Sequence, residues 1–307
     1  MTRTLKIGTR GSPLALAQAH ETRNRLMAAH GMPEDAFEVV IIPTTGDRVQ
    51  NRALREIGGK GLFTKEIEEA MLSGEIDIAV HSTKDMPVEQ PQGLVLDCFL
   101  EREDPRDAFV TLDGKPFSAL AEGAVVGTSS LRRKAQLLAR RPDVSVVEFR
   151  GNVQTRMRKL ADGVAEATFL ALAGLNRLNA QDISCHPVDP SDMLPAIAQG
   201  IIGIERRAED SEADRLLAPL RHAETHTRAA AERAFLAGLD GSCETPIAGL
   251  ATLDGNTLTL QGEILRTDGS EVIAGSRTGP AAQAAEMGAS LAAELLAQTT
   301  DDFFDWK

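Results

Sequence analysis

The stretch Leu5-Lys6-Ile7-Gly8-Thr9-Arg10-Gly11-Ser12-Pro13 contains the signals of a strand, a turn and a helix in direct succession. The apolar residues 5–7 predict a short strand, Ser12 is a preferred N-cap residue, and Pro13 is preferred at the first helical position. A second strand is predicted at residues 39–42. Because strands that alternate with helices are typical of parallel sheets, this part of the chain is predicted to be α/β.

The same succession recurs in the middle of the chain, where a strand ends in Gly127-Thr128-Ser129-Ser130 and a helix begins at Leu131 and stops before Pro142. The sequence therefore predicts two related α/β halves, and this hypothesis requires the same strand order in both. The last part of the chain has another pattern: a helix around residues 229–239, short strands separated by Asp-Gly turns, and an alanine-rich helix near residues 281–297. It is predicted to be a third, α+β domain.

A turn with several reactive groups follows the buried strand that is predicted at residues 76–80. It reads His81-Ser82-Thr83-Lys84-Asp85-Met86-Pro87 and places a base, hydroxyls, an ammonium and one carboxylate at the end of a strand. Asp85 is a lone anion among cations there, so it is suited to stabilising a cationic intermediate or to accepting hydrogen bonds from N–H groups. The alternative is a structural turn held by Lys84 and Asp85.

Composition and charge exclude several classes of protein. The 307 residues carry a formal net charge of −12, whereas a nucleic-acid-binding protein needs an excess of Lys and Arg, so no nucleic acid partner is expected. No apolar stretch approaches the length of a membrane span, and the first residues lack the apolar core of a signal peptide. We therefore expect a cytoplasmic protein without membrane contact. The three cysteines lack the paired spacing of a zinc site, and no metal is expected.

Two of these cysteines differ in their surroundings. Cys98 lies within the apolar run Leu94-Val95-Leu96-Asp97-Cys98-Phe99-Leu100 and is expected to pack in a core. Cys243 lies in Asp240-Gly241-Ser242-Cys243-Glu244-Thr245-Pro246, a loop after a predicted helix. An accessible loop cysteine can be a nucleophile or an attachment point, but a loop cysteine without any role is the more common case. These features leave the choice open.

The negative net charge conceals a basic segment at residues 127–159, where nine basic residues face two acidic ones, a local charge of +7. The predicted strand-to-helix turns at residues 8–12 and 127–131 carry arginine, and each presents the positive end of a helix dipole, which attracts anions. A third such turn follows at Arg150. A cleft for a small polyanion is therefore predicted at the strand ends, and a solvated basic helix face is the alternative. The arginines favoured as its ligands are Arg132, Arg133 and Arg150.

Six motifs, taken together and in order, resemble the porphobilinogen deaminase family, also called hydroxymethylbilane synthase, along nearly the whole chain. They are Ile7-Gly8-Thr9-Arg10-Gly11-Ser12-Pro13-Leu14-Ala15-Leu16, Gly58-Gly59-Lys60-Gly61-Leu62-Phe63, Ile78-Ala79-Val80-His81-Ser82-Thr83-Lys84-Asp85, Glu101-Arg102-Glu103-Asp104-Pro105-Arg106-Asp107-Ala108-Phe109, Gly127-Thr128-Ser129-Ser130-Leu131-Arg132-Arg133 and Arg150-Gly151-Asn152-Val153-Gln154-Thr155-Arg156.

The resemblance implies two α/β domains like those of periplasmic binding proteins, joined by a hinge, plus a smaller C-terminal α+β domain. The implied bounds are residues 1–101 with 199–219 for domain 1, 102–198 for domain 2 and 220–307 for domain 3. It also implies a monomeric transferase of haem biosynthesis. This enzyme would condense four porphobilinogen molecules head to tail, with loss of ammonia, into the linear tetrapyrrole hydroxymethylbilane.

The resemblance further implies a dipyrromethane cofactor, two linked pyrroles attached to Cys243 by a thioether. Asp85 would bind pyrrole N–H groups and stabilise the positive charge that develops as ammonia leaves, with Lys84 and Arg10 as further catalytic residues. The implied cofactor contacts are Ser82, Lys84, Asp85, Thr128, Ser129, Ser130, Arg132, Arg133, Arg150 and Arg156. The implied substrate contacts are Arg10, Ser12, Lys60, Phe63, Arg150, Arg156, Arg177 and Gln199.

Two positions depart from the family's pattern. Ser242 precedes Cys243 where glycine is common, and Ala198 precedes Gln199 where glycine is expected. Both are changes between small residues and affect the expected fine geometry rather than the assignment. Residues 46–61, rich in glycine and charge, resemble a mobile lid.

Two other functions remain as alternatives. A two-lobed anion-binding protein would explain the arginine turns without covalent chemistry, but it would leave Cys243 unexplained. An aldolase-like enzyme would use Lys84 as a Schiff-base nucleophile, which borohydride trapping would detect.

Overall fold

The computed structural model describes residues 4–48, 63–241, 245–300 and 302–304. The strands are β1 (Leu5–Thr9), β2 (Phe37–Ile41), β3 (Ile78–Ser82), β4 (Leu94–Phe99), β5 (Asp107–Thr111), β6 (Val125–Gly127), β7 (Ser145–Val147), β8 (Ala167–Ala171), β9 (Cys185–Pro187), β10 (Ile202–Arg207), β11 (Ile247–Asp254), β12 (Thr257–Leu265) and β13 (Val272–Pro280). The helices are α1 (Pro13–His30), α2 (Thr45–Arg48), α3 (Lys65–Leu72), α4 (Leu131–Arg140), α5 (Val153–Ala161), α6 (Leu172–Arg177), α7 (Ser211–Leu217), α8 (Ala223–Gly238) and α9 (Ala284–Leu296).

The chain divides into two compact units, Met1–Glu103 with Ile201–His226 and Asp104–Gly200 with Thr227–Lys307. Over the described residues, the first unit contains one mixed sheet in the order β2-β1-β3-β10-β4. β1 runs parallel to β2 and β3, whereas β10 runs antiparallel to both of its neighbours. The prediction of a parallel sheet is therefore wrong on the β10 side. β10 comes from a segment far away in the sequence, and local periodicity does not encode its direction.

β3 lies two residues further along the chain than the sequence predicts. His81 and Ser82 belong to the strand because they pair with Gly203 and Ile202 of β10. The predicted turn is therefore shorter, and its first residues form a single 3₁₀ turn, Thr83–Asp85. As a consequence, His81 is a strand residue whose side chain is almost entirely buried.

The second unit contains a sheet in the order β7-β6-β8-β5-β9. β6 runs parallel to β7 and β8, and β5 runs antiparallel to β8 and β9. Position by position, the strand directions are those of the first sheet, and the three parallel strands follow one another in the same chain order. The fourth position differs, because β10 is the last strand of the first unit in chain order and β5 is the first strand of the second unit. The requirement that the sequence set for two related α/β halves is therefore met by the parallel strands and not by the antiparallel strand beside them.

Three helices begin as the sequence predicts. In α1, the Ser12 side chain accepts a hydrogen bond from Ala15 N at 3.2 Å, and Pro13 is the first helical residue. Ser130 caps α4 and Asn152 caps α5 through the same kind of bond. Each of these helix N-termini follows the carboxyl end of a strand, β1, β6 or β7, and presents partly positive N–H groups there.

The C-terminal part of the second unit is a separate antiparallel sheet, β11-β12-β13, against which α9 packs. Its hairpin turns contain the predicted glycines, Gly255 and Gly269, with φ values of 57° and 75°. α9 in turn lies directly against α8, because a Cβ at Gly288 would come within 2.8 Å of Phe235 N. The fold class predicted from the sequence, two α/β parts and a smaller C-terminal α+β part, is confirmed.

Cys98 lies in the apolar core of the first unit, as predicted. Its side chain is inaccessible, and burial raises the pKa of its thiol to about 12. The Sγ atom lies 3.8 Å from Leu217 O. The thiol therefore stays protonated near neutral pH, and Cys98 acts as a small apolar residue.

Ala198, one of the two departures from the family's pattern, lies in the left-handed backbone region with φ = 58°. This conformation costs an L-residue roughly 1–2 kcal/mol. Ala198→Gly is expected to raise the free energy of unfolding by up to about 1 kcal/mol, because the backbone entropy of glycine, roughly 0.5–1 kcal/mol, offsets part of the relief. Urea denaturation of both proteins measures the difference.

Ala196→Gly is the matched control, because Ala196 lies in the same segment but does not have a positive φ. There the same substitution is expected to lower the free energy of unfolding by about 0.5–1 kcal/mol. Equal effects at the two positions would contradict a backbone origin for the gain at Ala198.

Candidate functional site

A pocket opens in the first unit where β1 and β3 end. Its empty volume is about 440 Å³, which includes space open to solvent. Thus the structure brings together residues from the predicted turns after both strands and from the segment before α3. The predicted site residues in its wall are Arg10, Ser12, Phe63, Ser82 and Asp85.

Arg10 and Phe63 form one side of this pocket. The Arg10 guanidinium carbon lies 4.1 Å from the centre of the Phe63 ring, in the geometry of a cation–π contact. This contact fixes a positive charge at the mouth of the pocket. Opposite charge comes from Asp85, which is partly exposed in the 3₁₀ turn that also carries Lys84. The pocket therefore offers both a guanidinium and a carboxylate to a ligand.

The hydroxyl of Ser82 is held by a helix residue. Gln18 of α1 donates to Ser82 Oγ at 2.8 Å, and its side chain is buried. Ser12, in contrast, uses its hydroxyl oxygen as the cap of α1. Ser82 Oγ also donates to Gln18 Oε1 at 3.1 Å, whereas the Ser12 hydroxyl keeps a hydrogen that can be donated to a ligand.

A buried acid–base pair lies behind the pocket and was missed by the sequence analysis. His81 Nε2 lies 3.3 Å from Glu205 Oε2 of β10, and the two side chains are 4% and 0% exposed. Glu68 of α3 is close to both: burial raises the pKa of its carboxyl, the negative charge of Glu205 adds to this rise, and His81 opposes it. The signal in the sequence is an acidic residue inside the otherwise apolar start of a strand, Ile202-Gly203-Ile204-Glu205.

In the second unit, the hydroxyls at the start of α4 support the turn after β6. Thr128 Oγ1 accepts from Ser130 N at 3.2 Å, and Ser129 Oγ accepts from Phe149 N at 3.0 Å. Ser130 Oγ caps the helix at Arg133 N. The turn is therefore rigid, while each hydroxyl retains a hydrogen to donate.

Arg132 and Arg133 lie in a buried ionic cluster around Asp107, the first residue of β5. Arg133 Nη2 lies 2.7 Å from Asp107 Oδ1, and Arg132 Nη2 lies 2.8 Å from Oδ2. Burial works to raise the pKa of the Asp107 carboxyl, but the two guanidinium charges and their hydrogen bonds outweigh it and hold the pKa well below its usual range. The sequence favoured these arginines as ligands of an anion. Their protein partner Asp107 was missed, and their role toward a ligand stays a prediction.

Gln199 completes this cluster. Its Nε2 donates to Asp107 Oδ1 at 3.0 Å and to Pro105 O at 2.8 Å, and the side chain is inaccessible. The preceding residue, Ala198, donates its N–H to Glu232 of α8 at 2.6 Å. The other oxygen of Glu232 accepts from Ala251 N of β11 at 2.8 Å. A continuous set of buried hydrogen bonds therefore connects the C-terminal sheet with the arginine cluster.

The remaining predicted arginines lie at the edge of the second unit. Arg156 Nε donates to Gly151 O, and burial lowers the pKa of its guanidinium to about 10, so it stays charged near neutral pH. The carbonyl of Arg150 accepts from Lys159 Nζ at 3.1 Å. Arg177 Nη2 donates to Gly200 O at 3.0 Å.

Some predictions lie outside the described residues. They are the predicted substrate contact Lys60, the cofactor cysteine Cys243 and most of the predicted lid, residues 49–61. In the part of the chain that the structure describes, no group of three or more His, Cys, Asp or Glu side chains could hold a metal ion. No helix there is long and apolar enough to cross a membrane.

Comparison with protein families assigns almost all of the chain. The model of the porphobilinogen deaminase dipyromethane cofactor binding domain matches residues 5–215, and that of the porphobilinogen deaminase C-terminal domain matches residues 226–297. The chain belongs to the porphobilinogen deaminase family. Porphobilinogen deaminase from Paracoccus denitrificans is 65% identical over 302 residues, which cover 98% of this chain and 96% of that protein. The activity of a hydroxymethylbilane synthase transferase and the dipyrromethane cofactor, both predicted from the sequence, are thereby confirmed.

Solved structures with low sequence identity also resemble the chain. A probable amino-acid ABC transporter extracellular-binding protein from Bacillus subtilis is 11% identical, with 72% of this chain and 91% of that chain covered and a TM-score of 0.46. A periplasmic binding protein from Salmonella typhimurium with high arginine specificity is 14% identical, with 71% and 92% covered and a TM-score of 0.40. Both likenesses are weak, and the strand orders given above define the fold.

The residues of the first unit fit part of a dipyrromethane. A pyrrole N–H needs an acceptor and the acidic side chains of the ring need donors, and Asp85 and Arg10 supply one of each in the same pocket. The charged set of the second unit is mainly cationic at its edge, where Arg150 and Arg156 lie. Such a set suits the carboxylates of the family's cofactor.

Proposed function

We propose that this chain carries out the reaction of its family in the pocket of the first unit, with Asp85 as the central catalytic residue. The observation that supports this most is the presence of Arg10, Ser82 and Asp85 in one pocket wall. The dipyrromethane, when bound, supplies the pyrrole carbon to which the first substrate ring is added. The roles below belong to residues of this chain.

Asp85 holds the pyrrole N–H groups and stabilises positive charge as ammonia leaves porphobilinogen. A carboxylate at the end of a strand, partly shielded from water, acts on a nearby cation more strongly than it would in bulk water. Lys84 in the same turn and Arg10 across the pocket hold the carboxylates of substrate or cofactor.

The acetate and propionate groups are bound by guanidinium and hydroxyl donors. Two charge-assisted bonds from one guanidinium fix a carboxylate in orientation as well as in position, so the ring that reacts is held in place. The proposed donors are Arg10, Ser12, Lys60, Ser82, Lys84, Thr128, Ser129, Ser130, Arg132, Arg133, Arg150, Arg156, Arg177 and Gln199. Phe63 provides an apolar face beside them.

The cofactor is attached to Cys243 through a thioether. We further propose three domains, with residues 1–101 and 199–219 as the first, 102–198 as the second and 220–307 as the third, and a hinge between the first two. The protein is proposed to be a cytoplasmic monomer that needs no metal, nucleic acid or membrane. An elution volume that corresponds to a dimer in size-exclusion chromatography would contradict the monomer.

Intact-protein mass spectrometry tests the attachment. Wild type is expected to carry a mass excess that equals two linked pyrroles, and Cys243→Ser is expected to lack it. Cys185→Ser is the matched control and should retain the excess, because Cys185 lies in a different strand, β9. Wild type that stays unmodified after incubation with porphobilinogen would contradict the proposed function.

A further inference from the structure

The residues that line the pocket include one imidazole, His81, and one carboxylate, Asp85, which are side-chain types that act as general bases. Asp85 has the task of stabilising positive charge, which it performs only while it stays ionised. A proton that stayed on Asp85 after one addition would remove that charge from the next addition, where it is needed again. The structure therefore raises the question of which group receives the proton that the reaction releases.

His81 has the surroundings of an oriented base. Its Nε2 faces Glu205 Oε2 at 3.3 Å on the buried side, and the residue also lines the pocket. The two atoms are not in hydrogen-bonding geometry, but a carboxylate 3.3 Å away attracts a hydrogen to Nε2, which leaves the lone pair on Nδ1. It also stabilises the imidazolium that forms when Nδ1 takes up a proton.

Other charged groups face the same region. Glu68 of α3 interacts with both His81 and Glu205, and Arg10 and Asp85 lie in the pocket wall. Two buried carboxylates and one imidazole favour uptake of a proton in this cluster, because the proton lowers the repulsion between Glu68 and Glu205.

We propose that His81, oriented by Glu205, is a further catalytic residue that accepts the proton lost from the pyrrole ring during each addition. This inference rests on the proposed function. Ammonia leaves porphobilinogen with the electron pair of its C–N bond, and the terminal ring of the growing chain forms a C–C bond to the remaining methylene carbon. The C–H bond at the attacking ring carbon then breaks, its electron pair restores the aromatic ring, and the proton goes to His81 Nδ1. The proton passes from there to the released ammonia, which becomes ammonium.

The test compares kcat for porphobilinogen with hydrogen or deuterium at its free α-carbon. In His81→Gln, kcat is expected to fall by about 10²–10⁴, the usual contribution of a general base. The isotope effect on kcat should rise above that of wild type, because proton removal becomes rate-limiting. The loss of a merely structural histidine would not produce this isotope effect. Intact mass must show that the variant carries its cofactor.

His226→Gln is the matched control, since His226 belongs to the same unit but stacks on Phe99 outside the pocket wall. Its kcat and isotope effect are expected to equal those of wild type. A loaded His81→Gln variant that keeps wild-type kcat, or loses kcat without a larger isotope effect, would overturn the proposal. In either case turnover by wild type would leave the proposed function intact.

Glu205→Gln decides the question if His81→Gln does not fold. This variant keeps the size of the side chain and removes the charge that stabilises the imidazolium. The acid limb of the kcat profile is expected to move to lower pH. An imidazolium without a neighbouring carboxylate loses its proton more readily, so the base stays unprotonated down to a lower pH. An acid limb at the wild-type position would overturn the proposal.

Discussion

Asp107→Asn is expected to lower the free energy of unfolding by about 3–5 kcal/mol, the usual effect of removing one partner from a buried ion pair. Asp107 is inaccessible and bound to two arginines that are themselves buried. The neutral amide would leave two guanidinium charges in a region of low dielectric without the carboxylate that they share. It would also put an N–H₂ group toward one of the three donors that now surround the carboxylate.

Urea denaturation of wild type and variant measures this effect, with Asp104→Asn as the matched control. Asp104 forms an ion pair with Arg106 that is partly exposed, 22% and 40% for the two side chains. Exposed pairs contribute about 0–1 kcal/mol, so the control should change little. Equal losses for the two variants would show that burial of the Asp107 cluster does not contribute to stability.

The same cluster has a pH dependence with a definite sign. The pKa of Asp107 is depressed in the folded state, so its contribution to stability is complete above the unfolded-state pKa of about 3.9. It is lost as pH falls through the lower folded-state pKa. The stability difference between wild type and Asp107→Asn should therefore be largest near neutral pH and shrink below about pH 4. A difference that grows in acid would contradict this assignment.

The sequence predicts features whose partners lie close by. Ser12 is recognised as a helix cap because the N–H it binds is three residues away. The two hairpin glycines are recognised from Asp-Gly pairs, and Cys98 from its apolar neighbours. In each case a window of a few residues contains the physical cause, so local propensity and periodicity are sufficient.

The features that the sequence analysis missed depend on distant partners. Asp107 meets Arg133 across 26 positions, and Glu205 meets His81 across the pairing of β10 with β3. The same pairing makes β3 end two residues later than predicted and makes β10 antiparallel where a parallel strand was expected. Local patterns could identify Arg133 as a functional candidate, but not the carboxylate that binds it. The resemblance of motifs likewise identified Gln199 as a candidate, but its hydrogen bond to Asp107 is visible only in the folded structure.

Gly288→Leu is expected to lower the free energy of unfolding by about 3 kcal/mol or more, at the upper end for overpacking a close contact. A Cβ at this position of α9 would overlap the carbonyl oxygen of Ala231 and come within 2.8 Å of Phe235 N, both in the backbone of α8. Backbone atoms inside a helix cannot rotate away as a flexible side chain can. The two helices must therefore separate, although leucine is the better helix former.

Separation of these helices should also affect the site, because α8 carries Glu232. This side chain binds Ala198 N and Ala251 N with its two oxygens, and a shift of α8 would stretch both bonds. Ala285→Leu in the same helix is the matched control, since Ala285 is exposed and has room for the larger side chain. Thermal unfolding and intact mass are expected to show a destabilised, incompletely loaded Gly288→Leu protein beside a normal control. Equal stability and equal cofactor loading in the two variants would mean that the close contact between α8 and α9 does not hold the Gln199 segment in place.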